Sequence, residues 1–345
     1  MQNDGGEGER EREGEGEGEV FEEVCRRVAA AILLMLGAAH AADADAQAGR
    51  RPGEGPTPIE DVLEGSPQGH GNISIAYLNH LVNGFHAPDG SVAKIGDVRS
   101  HGIALSVDYN ITDRWTLHAE IPYIDNRYQG PRPHCPTTAP PQCAHVPALA
   151  PPHPESQFLD DGSYHGTWQD WTLSASYNAD YEGYFVTPYV TVYLPSHDYT
   201  FFSQAAVGYG LQRVELGATL AHQFDFTQIY YRVGYGRVIA EQTLGQSIDH
   251  NKVDLELGYF LNESWTAKVF SNAKKGSGYF GGYDPTSELF YHHDQRAPHN
   301  YASVGFGVDY NFNKYTLSTS VQKEVWGEVI FNFQYAFELR LSRAF

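Results

Sequence analysis

No stretch of this sequence offers the roughly 18 consecutive apolar residues that a membrane-spanning helix requires, so a helical span is excluded. Basic residues are few. The chain has 23 Lys and Arg against 43 Asp and Glu, a net charge of −20, which argues against nucleic acid as a partner. Cysteine is scarce, at three residues. Cys135 and Cys143 bracket a Pro-rich loop, and two thiolates alone make an incomplete metal set. In an exported chain that spacing is most simply a loop disulfide. Cys25 precedes the apolar run at 28–36, so there is no Leu-x-x-Cys lipid-attachment motif. The Gly-rich run 274–282 is followed by no helical pattern, which rules out a phosphate-binding loop and leaves a surface loop.

What is present is aromatic and alternating. Tyr (23), Phe (18) and Gly (35) are abundant, and the last fifteen residues place Phe331, Phe333, Tyr335, Phe337, Leu339 and Leu341 at every second position, ending on Phe345. Strict period-2 alternation reads as a strand with one oily and one polar face. At a terminus such a strand would be an open sheet edge. A closed membrane barrel has no edge and turns the oily face to lipid. The mean hydropathy of −0.44 suits a soluble chain, but barrels escape that test because alternate residues face the lumen.

Residues 25–41 read as a secretory signal peptide: Arg26 and Arg27, a short apolar run at 28–36, then Ala39-His40-Ala41 as a small-x-small cleavage site. Residues 1–24 are acidic and Gly/Glu-repetitive, which suits a disordered extension ahead of a true start near Val20 or Val24. Residues 42–69 lack periodicity and read as a flexible periplasmic lead-in. The remainder, 70–345, is expected to be one all-β domain, an antiparallel transmembrane β-barrel.

Twelve alternating segments are expected, at 72–79, 101–110, 115–123, 167–177, 184–194, 207–224, 228–238, 252–260, 265–272, 301–310, 315–324 and 329–345. Every second connection is tight (110–114, 178–183, 225–227, 261–264, 311–314), and the others are mostly long (80–100, 124–166, 195–206, 239–251, 273–300), with a short last one near 325–328. Short periplasmic turns and long extracellular loops are the outer-membrane arrangement. A soluble sandwich or propeller predicts neither this asymmetry nor the signal and the terminal Phe together. Three tight turns repeat an aromatic, polar, aromatic pattern (Tyr109/Trp115, Tyr259/Trp265, Tyr310/Tyr315), which places rings at a membrane interface.

Several segments resemble the outer-membrane family associated with the meta-pathway of phenol degradation. They are Tyr109-Asn-Ile-Thr-Asp-Arg-Trp115, Ile121-Pro-Tyr123, Asp170-Trp-Thr-Leu-Ser-Ala-Ser-Tyr177, Val186-Thr-Pro-Tyr-Val-Thr-Val-Tyr-Leu-Pro195 and the Gly-rich run 207–217. The resemblance implies an outer-membrane channel for small, hydrophobic or aromatic compounds. The Cys-containing loop 124–166 and the Ser196-His-Asp198 turn depart from the family pattern.

The strand register points Asp108, His118, Glu120, Asp170, Arg213, Glu215, Arg232, Asp254, Glu256, Lys268, Asp309, Glu338 and Arg340 inward. Charges there cannot face lipid, where a midplane Lys or Arg costs roughly 2–4 kcal/mol. They form either a polar, weakly cation-favouring pore lining or the ion pairs of a filled lumen. Loops 124–166 and 273–300 would act as lids.

Other chemistry is thin. A barrel phospholipase would need Ser, His and Asn or Asp together; Ser271 and Asn272 lack a preceding His, and Ser271 should point outward. A protease-like Asp/His pair could draw on Tyr291-His-His-Asp294 and His299, and a metal site or a pH-sensitive cluster on Tyr291-His-His-Asp294 with His134, His145, His153 and His165, although loop histidines are more often solvated. No catalytic residue, metal or cofactor is assigned. The expected partners are outer-membrane lipids, periplasmic chaperones, the outer-membrane assembly machinery reading Phe337, Leu339, Leu341 and Phe345, and small-molecule cargo. Arg343 departs from that terminal signal but can snorkel.

Overall fold

The computed structural model describes residues 68–135, 157–224, 227–278, 284 and 287–345. The extension 1–24, the signal 25–41, nearly all of the lead-in, Cys143, His145 and His153 lie outside the described residues.

Fourteen strands form one antiparallel sheet: β1 (Gly71–His86), β2 (Val92–Asn110), β3 (Trp115–Gln129), β4 (His165–Trp168), β5 (Trp171–Tyr177), β6 (Ala179–Tyr181), β7 (Tyr184–Leu194), β8 (Arg213–Gln223), β9 (Ile229–Ala240), β10 (His250–Phe260), β11 (Trp265–Gly276), β12 (Asn300–Phe312), β13 (Tyr315–Glu328) and β14 (Ile330–Ala344). β4 and β5 are two pieces of one wall strand, and β6 extends the β5–β7 hairpin. The wall therefore has twelve staves. β14 pairs with β1 from Asn72↔Ala344 to His86↔Ile330, which closes it without an edge.

Alternation explains the closure. Ile73, Ile75, Ile103, Leu105, Leu257, Val269 and Phe306 are 44–55% exposed, which fixes the outer face. Residues one position away carry the charges. Rings gather at the short-turn rim, where Trp265 stacks on Tyr310 at 4.4 Å and Trp115 lies 5.2 Å from Tyr177. Both contacts join neighbouring hairpins rather than the two ends of one turn.

Four expectations need correction. β1 and β2 continue beyond 79 and below 101, so the expected loop 80–100 is a five-residue turn at 87–91. Bulges near Leu81/Val82 and at Gly84 (φ 92°) hide the alternation there. The fourth stave is broken at Gln169 and Asp170. Opposite them Pro122 has no N–H to donate, and the register slips by one between Tyr123↔Trp168 and Glu120↔Thr172. The sixth stave begins at Arg213, not 207, because residues 207–212 leave the wall. The last connection is Val329 alone, in the left-handed region at φ 52°.

Candidate functional site: a charged interior under an infolded loop

Twelve of the thirteen residues named from the sequence sit at strand positions alternating with the apolar belt, Asp170 sits at the break in the fourth stave, and hydrogen bonds and ion pairs join them into groups. His118 Nδ1 lies 2.7 Å from Asp108 Oδ1. Arg340 donates to Glu338 (2.8 Å), to Glu120 (3.4 Å) and to the Ser106 hydroxyl (3.1 Å), linking β14 to β2 and β3. Arg232 and the Tyr230 hydroxyl both donate to Glu256, at 3.1 and 2.9 Å. Lys268 donates to Asp309 at 2.8 Å, and the Asn272 amide donates to Asp254 at 2.6 Å. Nearer the long-loop rim, Glu215 accepts from Tyr189 and Tyr193, each at 2.7 Å, and from Lys252 at 3.0 and 3.2 Å. Arg213 donates to Asp170 at 2.9 Å, and the Tyr199 hydroxyl donates to the same carboxylate.

Lys252 and Lys274, which sequence reasoning missed, face each other directly across β10 and β11. Lys252 has Glu215; among the described residues no carboxylate bonds Lys274. Lys274 lies beyond the expected end of the ninth segment at 272, because β11 continues to Gly276. A cavity of about 490 Å³ lies below this level, lined by Asp254, Glu256, Glu338, Arg232, Lys268 and neutral polar groups including Ser318, Ser320 and Gln322.

The long-loop end is crossed from within. Residues 195–212 fold into the barrel: Tyr199 and Val207 pack on Ile124 and Leu78, while Ala205 packs on Val98 and Tyr128. Leu211 reaches Ala240 and Ile248 on the far side, and the Tyr209 ring lies 4.9 Å from His299. Asp160 clasps this segment. Its carboxylate accepts from Ser203 Oγ (2.6 Å), His134 N (2.7 Å), Ala205 N (3.0 Å) and Gln204 N (3.1 Å). Burial pushes the Asp160 carboxyl up, and the four donors oppose that shift.

The helical turns α1 (Glu288–Tyr291) and α2 (His293–Arg296) complete the cover. Their Phe290 and His293 pack around His134, itself stacked on Phe202 at 4.7 Å. Burial, with His293 nearby, holds the His134 imidazole down at about 4; burial and Lys274 hold His299 at about 3. Both are neutral packing groups at pH 7. Among the described residues no set of three His, Cys, Asp or Glu side chains is placed to hold a metal. Ser271 points outward and donates to the Ser303 carbonyl at 2.9 Å. Cys135 is buried at the end of a described segment.

These features define a class: a closed twelve-stranded barrel of the bacterial outer membrane, with a charged interior and a loop folded into its mouth. Solved structures agree on the fold. The chain is similar to the COG4313 outer membrane channel from Pseudomonas putida F1, with 15% identity, 86% of this chain and 100% of that one covered, and a TM-score of 0.60. More distant likenesses are the KdgM porin (9% identity, 79% and 99% covered, TM-score 0.43) and the CymD monoaromatic hydrocarbon channel (10%, 81% and 89%, 0.40). A scan against protein-family models and a search of curated proteins found no match.

Proposed function

We propose that this barrel is a passive channel for small water-soluble molecules, that it favours cations, and that the thirteen charged side chains line its path. The observation that carries this reading is the interior cavity of about 490 Å³, in which no cation among the described residues pairs with Asp254, and Glu338 shares Arg340 with Glu120. Arg232 and Lys268 are already bound to carboxylates. Rings of carboxylates select cations. A hydrophobic cargo, which the family resemblance implies, would have to displace water from these charged groups along this route at a steep desolvation cost.

Three further elements belong to the proposal. The lipid-facing belt holds the barrel in the outer membrane. The terminal strand with Phe337, Leu339, Leu341 and Phe345 engages periplasmic chaperones and the assembly machinery. Cys135 and Cys143 pair as a disulfide within their loop. The infolded segment 195–212 favours one second reading, a plugged scaffold in which the interior charges only hold the barrel together.

Planar-bilayer recording separates the two. A channel gives stepwise conductance and, in a salt gradient, a reversal potential of cation-selective sign. A plugged scaffold gives none while segment 195–212 is in place.

A further inference from the structure

A second cavity, also of about 490 Å³, opens at the long-loop end between the start of β4, the infolded loop and α1. Its walls differ in kind from the interior below. They include the rings of His197, Tyr199, Phe201, Tyr291 and His292, together with the carboxylate of Asp198, and contain, among the described residues, no Lys or Arg.

The rings are held in place. Phe201 meets Tyr291 edge-on at 5.0 Å and stacks on His292 at 5.3 Å. His197 lies 5.6 Å from Tyr199 and is fixed by the hydroxyls of Thr167 (3.0 Å) and Ser196 (2.8 Å). Asp198 is exposed, and among the described residues no hydrogen bond or ion pair engages it.

Aromatic faces carry negative quadrupole density and attract ammonium groups. A carboxylate without a partner adds net negative charge, and the absence of a fixed cation leaves nothing to repel a positive ligand. A hydrophobic arene would satisfy the rings but leave Asp198 unused. An anion would satisfy neither.

We propose that this vestibule is a binding site for small organic ammonium ions, with the rings of Tyr199, Phe201 and Tyr291 forming the cage and Asp198 its counter-charge. It goes beyond the channel reading and shares only its preference for cations. The inward wall of the cavity is Tyr199 and Val207, which pack on Ile124 of the barrel interior. Bound ligand would therefore sit directly on the infolded loop.

The test uses the purified full-length barrel in detergent, with choline as the probe and isothermal titration as the readout. The neutral isostere 3,3-dimethylbutan-1-ol and phenol serve as comparators. Choline is expected to bind, and the two neutral molecules to bind at least tenfold more weakly. Asp198→Asn should weaken choline about tenfold, and Phe201→Leu by a similar factor. Heat-modifiable migration on gels establishes that each variant is folded. No choline binding, equal binding of the isostere or phenol, or an unchanged affinity in folded Asp198→Asn overturns the proposal. Because this is equilibrium binding outside a bilayer, its outcome is independent of the reversal-potential measurement that tests the channel.

Discussion

Replacing Asp160 by Asn should release the infolded loop without unfolding the barrel. The carboxylate has two oxygens and four donors. Oδ1 accepts from Ser203 Oγ and Ala205 N, while Oδ2 accepts from His134 N and Gln204 N. An amide keeps one oxygen and no charge. With its NH₂ at the Oδ1 place, the Ser203 hydroxyl turns to accept and the Ala205 N–H is left facing a donor. The remaining bonds give up their charge assistance, together the equivalent of about two charge-assisted bonds lost. At about 1.5–3 kcal/mol per such bond, the loss is about 3–6 kcal/mol. One factor of ten corresponds to about 1.4 kcal/mol, so the loop's open population should rise at least a hundredfold. The loss is local, because the wall hydrogen bonds do not pass through Asp160. The assay is single-channel conductance alongside hydrogen exchange at residues 203–206. The expected result is higher conductance, faster exchange at those amides, and unchanged heat-modifiable migration. Unchanged exchange and conductance in a folded Asp160→Asn barrel would refute the assignment of Asp160 as the clasp.

Acidification should loosen the same cover. His134 and His299 bind protons less well in place than when released, so their stabilisation is complete above about pH 6.5. It drains as pH falls toward about 4 for His134 and about 3 for His299. The loss is on the order of 3 kcal/mol for His134, and open probability at pH 5 should exceed that at pH 7. Gly258→Ala should destabilise the barrel by about 1–3 kcal/mol in urea unfolding into lipid, since a Cβ there would sit 2.1 Å from Cε1 of Tyr230. Deleting Phe345 should lower the amount of assembled protein in outer-membrane fractions, and equal amounts would count against the terminal strand as an assembly signal. Lys274→Gln should raise cation conductance, as read from the single-channel current amplitude.

The wall was legible because its physics is local. Tyr184–Leu194 coincides with the expected fifth strand to the residue, and β9 to β14 differ from expectation by a few residues at their ends. Period-2 alternation and tight polar turns need no knowledge of the partner strand. The failures share one cause, which is structure set by contacts far apart in sequence. Residues 207–212 are as apolar and alternating as a strand, yet Val207 and Leu211 turn into the barrel, where Ile124, Ala240 and Ile248 bury them. The clasp brings Asp160 to Ser203, Gln204 and Ala205 across more than forty residues of chain, four strands included. A lone Asp in a Gly/Asp-rich loop carries no signal of that role. The interior charges were legible as a face but not as pairs, because Arg340 meets Glu120 only when the barrel closes.

The pairing also gives the interior a polarity. On the short-turn side, Arg340 is shared by Glu338 and Glu120, Asp108 has a His as its partner, and Asp254 has only an amide donor. Carboxylates are therefore in excess there. Two residues further up β10, Lys252 stands opposite Lys274, and Glu215 is bonded to Lys252. Like charges opposed across a ladder are unfavourable. Glu215 neutralises one of the two lysines. A cation descending from the long-loop rim first meets this lysine level and then the acidic cavity beneath it. In the proposed cation channel the barrier and the well are thus separate places, and substitutions at the lysine level should change entrance rate while those at Asp254 and Glu338 change selectivity.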